Sequence, residues 1–169
     1  MEINKLMVVA HPDDETMFGG DELIQEEGWK VICITDGDNP VRSKEFARAM
    51  EAFNAEYEIW SYKDAWTEHV NRPNLEQDLL RALGERSYKK IVTHNLQGEY
   101  GHPEHKAVSE VMHNLVKEHL YVFDITVDEV LEMHILRKKL EISEIYKSQL
   151  HAFEQLSKYW IKARSVKVK

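Results

Sequence analysis

"VVAHPDDETMFGGDE", Val8 to Glu22, opens like a buried strand and then stops at a histidine and three acids. A chain that needed only a turn there would use Asn-Gly or Pro-Asp-Gly, whose backbone preferences make one directly. Pro12 biases His11 toward an extended backbone, so its imidazole can project from the strand tip. Asp14, three positions on, can fold back beside it. Asp13, Asp14 and Glu15 could also serve only the dipole of a following helix, which favours acids at its N-terminus. Taken alone, the cluster is covered by that plainer role, so the rest of the chain has to decide.

Outward from this stretch, short apolar runs alternate with helix-like segments. Leu6–Ala10, Val31–Thr35, Glu58–Tyr62, Lys90–His94 and Tyr121–Ile125 are short and mostly rich in Val, Ile and Tyr, as strands buried on both faces should be. Helical segments fall around Gly20–Glu27, Ser43–Phe53, Asn74–Glu85 and Pro103–His119. A long one is expected over about 130–161, where Leu136, Leu140, Ile145, Leu150, Phe153, Leu156 and Trp160 form one apolar stripe. Such alternation implies βαβ units, a parallel sheet and right-handed crossovers. The expected fold is α/β: a Rossmann-like parallel sheet of order 3-2-1-4-5 flanked by helices, one domain over 1–169. The basic tail 162–169 is expected to be a solubilising, disordered end.

In open sheets of this class, ligands bind beyond the carboxyl ends of the strands, where strand order reverses. With that order, the first and fourth strands are neighbours at the switch point. The first ends in His11. The fourth, "KKIVTHN", ends in His94 and Asn95 and runs into "LQGEYGHPEH". Pro103 suits the first turn of a helix, which would put His102 and His105 on one face. Two histidines and a carboxylate with room for water form a three-ligand set seen in catalytic zinc sites, and the same set can serve iron(II). His69, His113, His119, His134 and His151 are read as surface or hydrogen-bonded residues, and His94 is left between the two classes.

"AHPDDE" (Ala10–Glu15) with "THNLQGEYGHPEH" (Thr93–His105) resembles the LmbE-like (PIG-L) family of zinc-dependent N-acetylglucosaminyl deacetylases, which includes the glycosylphosphatidylinositol-pathway de-N-acetylases. "TDG" at Thr35–Gly37, the Arg42/Glu45 pair and "YKSQ" at Tyr146–Gln149 fit the pattern in order, so the resemblance spans most of the chain. It implies that His11, Asp14 and His105 bind zinc, with another divalent metal such as Fe2+ also compatible. It implies Asp13 as general base toward a zinc-activated water, Tyr100 and His102 flanking the reacting carbonyl, and Arg42 as a sugar contact. His102, protonated by its acidic surroundings, or the Tyr100 hydroxyl could then hold the oxyanion, and losing one such donor costs about 10²–10³ in rate. Trp66 in "KDAWTEH" could wall the sugar site by stacking. The plainer alternatives are packing for Tyr100, an Arg42–Glu45 pair on an exposed helix face, and backbone roles for Gly19 and Gly20. Ser148 and Gln149 are read as structural.

Composition narrows the partners. With 43% hydrophobic and 31% charged residues the chain reads as an ordinary globular domain. A formal charge of −8 argues against nucleic acid, whose phosphates draw on surplus Lys and Arg. The one cysteine, Cys33, lies in the apolar run "VICIT" and reads as a small buried hydrophobe. No signal peptide or membrane span is read, so a cytoplasmic protein with a soluble N-acetylated amino-sugar substrate is expected. The short loop after "TDGD" suggests an open site, a small substrate, or completion by a neighbouring subunit in a homo-oligomer. Two rivals stay open: deacylation of a non-sugar amide, and a non-catalytic metal- or sugar-binding relative.

Overall fold

The computed structural model describes residues 2–64 and 72–169. Each apolar run becomes a strand of a single sheet. Lys5–Val9 (β1), Trp29–Thr35 (β2), Glu56–Tyr62 (β3), Lys90–Thr93 (β4) and Leu120–Asp124 (β5) lie parallel in the order β3-β2-β1-β4-β5, as expected. Helices α1 (Asp14–Gln25), α2 (Arg42–Phe53), α3 (Arg72–Gly84), α4 (Pro103–Leu115), α5 (Met133–Ser143), α6 (Leu150–Gln155) and α7 (Ser157–Trp160) follow in chain order.

Strand alternation divides the core in two. Met7, Val9, Val31 and Cys33 face α1, α2 and the C-terminal helices, meeting Phe18, Phe46, Met50, Ile142, Phe153 and Trp160. Leu6, Val8, Ile32 and Ile34 face α3 and α4, meeting Leu75, Leu79, Val108 and Met112. Each of these large side chains stabilises the fold by about 1.5–3 kcal/mol on full burial. The three-layer result matches the expected class.

α1 begins at Asp14 rather than near Gly20, because a Gly-Gly pair inside a helix reads as a weak point in sequence. Packing overrides it. A Cβ on Gly19 would lie 2.4 Å from Met7 Cε and 3.1 Å from Phe123 Cε1, and one on Gly20 would lie 3.1 Å from Lys139 Cε. The two glycines let α1 press onto the sheet on one side and onto α5 on the other.

The C-terminal region departs from expectation twice. The long helix is broken: α5 ends at Ser143, Lys147–Gln149 form a 3₁₀ turn, and α6 and α7 are short. Tertiary partners cause the break, for Tyr146 turns inward to Glu15, and Glu45 takes both the Ser148 amide (3.0 Å) and its hydroxyl (2.5 Å). The tail is not disordered either. Arg164–Lys167 form β6, antiparallel to β5, with Ser165 hydrogen-bonded to Glu22. This strand covers the backbone groups that β5 would otherwise leave at an open edge.

Between α1, α5 and α7 lies a buried lysine. Lys139 Nζ donates to Met17 O (2.9 Å) and Trp160 O (2.8 Å). Burial lowers its pKa to about 8 against the opposing charge of Asp21, and burial raises Asp21 to about 6. A carboxyl raised on folding binds its proton more tightly in the native state, so its contribution to stability falls as pH rises from about 4 to about 6. A lysine lowered on folding has the opposite slope, with stability gained between about pH 8 and 10.5. Asp21→Asn is therefore expected to gain on the wild type by on the order of 1–3 kcal/mol between pH 4 and 6. Urea midpoints across that range check it, and a pH-independent difference would refute it.

Candidate metal centre and catalytic pocket

The carboxyl ends of β1 and β4 lie side by side, and the two unusual polar stretches meet there. β1 delivers His11, the first turn of α1 delivers Asp14, and the first turn of α4 delivers His105. Asp13 caps α1 with φ 121° and no side-chain capping bond, which leaves its carboxylate to face the cavity. A non-glycine residue in that region costs about 1–3 kcal/mol and is typical of sites where the surroundings over-determine the backbone.

Three atoms form a small triangle. His11 Nδ1 lies 3.2 Å from Asp14 Oδ2 and 3.3 Å from His105 Nε2, and His105 Nε2 lies 3.2 Å from Asp14 Oδ2. Ligands about 2.1 Å from one tetrahedral ion sit about 3.4 Å apart, so the triangle has the size a shared divalent ion requires. The tautomers point the same way. His105 Nδ1 faces Glu99 Oε2 at 2.6 Å and His11 Nε2 faces Asp64 Oδ1 at 3.1 Å. A carboxylate accepts, so each of those ring nitrogens donates, and the inner nitrogen of each ring is left with a lone pair. In the neutral rings, two lone pairs and a carboxylate oxygen converge, an arrangement that suits a cation. Burial opposes a charge on His11, but the bonds to Asp14 and Asp64 outweigh it and raise the ring to about 10, so the site draws positive charge. Histidine ligands oriented by carboxylates in this way are the common pattern at metal sites. His102, His94, Asp64 and Glu104 complete overlapping sets whose ligating atoms lie within 4.8 Å of one another.

His94 is used differently. Its Nε2 accepts the Ala10 N–H at 2.9 Å and its Nδ1 donates to Glu99 at 2.9 Å. The Ala10 amide needs a lone pair to bond to, so the ring is neutral despite the carboxylates that favour its cation, and neither nitrogen is free for a ligand. His94 stacks on His105 at 3.8 Å between centroids and supports it.

Glu99 joins the two imidazoles. Burial would raise its carboxyl, but the hydrogen bonds from His94 and His105 outweigh that and hold it at about 2. The loop reaches this geometry through glycine. Gly98 has φ 67°, and a Cβ there would lie 2.6 Å from His102 O. Glu99 and Asp64 were not singled out in the sequence. Glu99 had a signal, a carboxylate between two histidines in a glycine-flanked loop, whereas Asp64 had none.

The remaining expected residues also converge. Asp13, Arg42, Asp64, Tyr100, His102 and Gln149 line a cavity of about 120 Å³ above the triangle. Burial and the Asp14 charge push the Asp13 carboxyl well above its usual range, with Arg42 opposing. Arg42 does not pair with Glu45. Its guanidinium is held by Asp36 (2.7 Å) and Pro12 O (2.8 Å) and lies 3.5 Å from Asp13. The expected protonation of His102 is corrected, for burial, the largest cause, lowers it to about 3, so the ring is neutral. Its Nδ1 lies 3.0 Å from Glu104. Tyr100 is half-exposed, and burial with the nearby carboxylates pushes its hydroxyl up, so it keeps its proton. Trp66 lies outside the described residues. A larger groove of about 620 Å³ between β3 and α3 contains no histidine, and its acids are already paired: Asp78 with Tyr62 and Arg81, Glu58 and Glu85 with Lys30.

A family model described as "PIG-L: GlcNAc-PI de-N-acetylase" matches residues 6–116, from β1 to the end of α4. An uncharacterized protein of Acanthamoeba polyphaga mimivirus is 38% identical over 173 residues, covering 92% of this chain and 76% of its own. Among solved structures, the N,N'-diacetylchitobiose deacetylase of Pyrococcus horikoshii is similar with a TM-score of 0.72 at 14% identity, over 96% of this chain and 84% of that one. The 4-carboxy-2-hydroxymuconate hydratase of Pseudomonas putida is similar with a TM-score of 0.67 at 17% identity, over 100% and 98%. At such identities the likeness is one of fold, and the fold carries more than one reaction.

Proposed function

The chain belongs to the GlcNAc-PI de-N-acetylase (PIG-L) family, and we propose that it is a zinc-dependent amidohydrolase removing the N-acetyl group from an N-acetylglucosamine-type sugar or conjugate. The observation that carries this reading is the close triangle of His11 Nδ1, Asp14 Oδ2 and His105 Nε2 with a further carboxylate, Asp13, beside it. A divalent ion held by those three residues would supply Lewis-acid chemistry, lowering the pKa of bound water toward about 7 and polarising the amide carbonyl.

The protein's own groups do the rest. Asp13, raised by burial, takes the proton of the attacking water and passes it to the leaving amine. Tyr100, protonated and at the cavity wall, donates to the developing oxyanion. His102, neutral at the cavity wall, accepts from the substrate N–H through a ring nitrogen. Arg42 holds Asp13 in place and contacts the sugar. A cavity of about 120 Å³ suits an acetyl group better than a long acyl chain. Among the described residues no helix is long and apolar enough to cross a membrane, which is compatible with a soluble sugar conjugate.

Metal analysis of purified protein, combined with acetate release from N-acetylglucosamine conjugates with and without chelator, tests the reading. About one divalent ion per chain and chelator-sensitive release are expected. Metal binding without release from any N-acetyl sugar would turn the protein into a binder or a deacylase of another amide.

A further inference from the structure

"YKSQ", Tyr146–Gln149, contributes nothing to the reaction above through its tyrosine, yet that side chain is completely buried. Its hydroxyl donates to Glu15 Oε1 at 2.6 Å, joining residues 131 positions apart. Thr16 Oγ1 donates to the same oxygen at 2.6 Å. The other oxygen, Glu15 Oε2, accepts the Asp13 N–H at 3.1 Å. Glu15 is itself fully buried, so no water competes for these positions. A chain of direct bonds thus runs from the turn after α5, through Glu15, to a backbone held at φ 121°.

We propose that Tyr146 is a positioning residue: through Glu15 its hydroxyl fixes the Asp13 backbone and so aims the Asp13 carboxylate into the cavity. The torsion that orients a carboxylate is soft, and hydrogen bonds rather than sterics set it. Two hydroxyls on Oε1 keep Oε2 turned toward the Asp13 amide. Without Tyr146 the carboxylate can rotate, the Asp13 amide loses its acceptor, and the strained backbone relaxes. Asp14 is anchored separately, because the His11 N–H donates to Asp14 Oδ2 at 2.8 Å. The ligand triangle therefore outlasts a change that misaligns Asp13.

The inference rests on Asp13 being the base of the proposed reaction, and Tyr146→Phe tests it by deleting one hydroxyl from a packed ring. The metal content should match wild type and KM should stay within about twofold, while kcat falls about 10–100-fold, as expected for misplacement of a catalytic group. Amide hydrogen exchange should quicken about tenfold or more over residues 12–17 and remain unchanged elsewhere. An unchanged kcat, unchanged local exchange, or a rise spread evenly along the chain would overturn the proposal, the last because it marks a purely structural role. If wild type releases no acetate from N-acetyl sugars, the deacetylase reading fails by itself. The exchange pattern then still decides the link, a local rise upholding it and its absence refuting it. Should Tyr146→Phe not fold, Thr16→Val removes the other hydroxyl from the same oxygen and is read in the same way.

Discussion

Asp13→Asn is expected to retain its metal and lose turnover by about 10²–10⁴, the range typical of a positioned acid–base group. The separation of these effects comes from the geometry. The candidate ligand atoms of His11, Asp14 and His105 are 3.2–3.3 Å apart without help from Asp13, whose carboxylate faces the cavity instead. Asparagine keeps the shape and the contact with Arg42 but cannot accept a proton. Burial raises the Asp13 carboxyl, and a base works best when its pKa approaches the working pH. Elemental analysis beside single-turnover acetate release separates the two quantities. A variant with intact metal and wild-type turnover would remove Asp13 from the chemistry, and one that lost its metal would make Asp13 a ligand.

The same stretch shows what a sequence carries and what it does not. Val8 and Val9, running into His11 and Pro12, mark a strand that ends in polar residues, whereas the strand order is the common one for this class rather than one read from the residues. His11, Asp14 and His105 could be singled out as candidate ligands because metal ligands must be particular residue types, and these fall at strand and helix ends. Glu99 and Asp64 were not, since a carboxylate orienting a histidine has no spacing of its own and is recognised only once the ring beside it is placed. The protonation of His102 was misread for a related reason. Nearby acids are visible in sequence, while burial, which dominates, is not. The apolar stripe over 130–161 predicted one helix because periodicity reports a face, whereas the break at Tyr146 depends on Glu15 and Glu45 from distant elements.

His105→Ala should empty the site and reduce activity to background, a loss of about 10³-fold or more, since the Lewis acid contributes several kcal/mol at the transition state. Two ligands would remain, His11 and Asp14, at the mouth of a cavity that water can enter. A second readout is independent of turnover. A metal that binds only the folded chain stabilises it by about 4 kcal/mol at a thousand times its Kd, so chelator should lower the wild-type melting temperature and leave that of His105→Ala unchanged. Glu99→Gln is the graded control. Bonds from both His94 and His105 outweigh burial and hold Glu99 as the carboxylate that orients the ring, and weakening such a partner costs about 10–100-fold in metal affinity or activity. The order His105→Ala, then Glu99→Gln, then wild type in both metal retention and chelator-sensitive melting is what a shared ion demands. If His105→Ala kept a full equivalent of metal, the ion would belong to another of the overlapping sets, and the assignment of His105 as a ligand would fall.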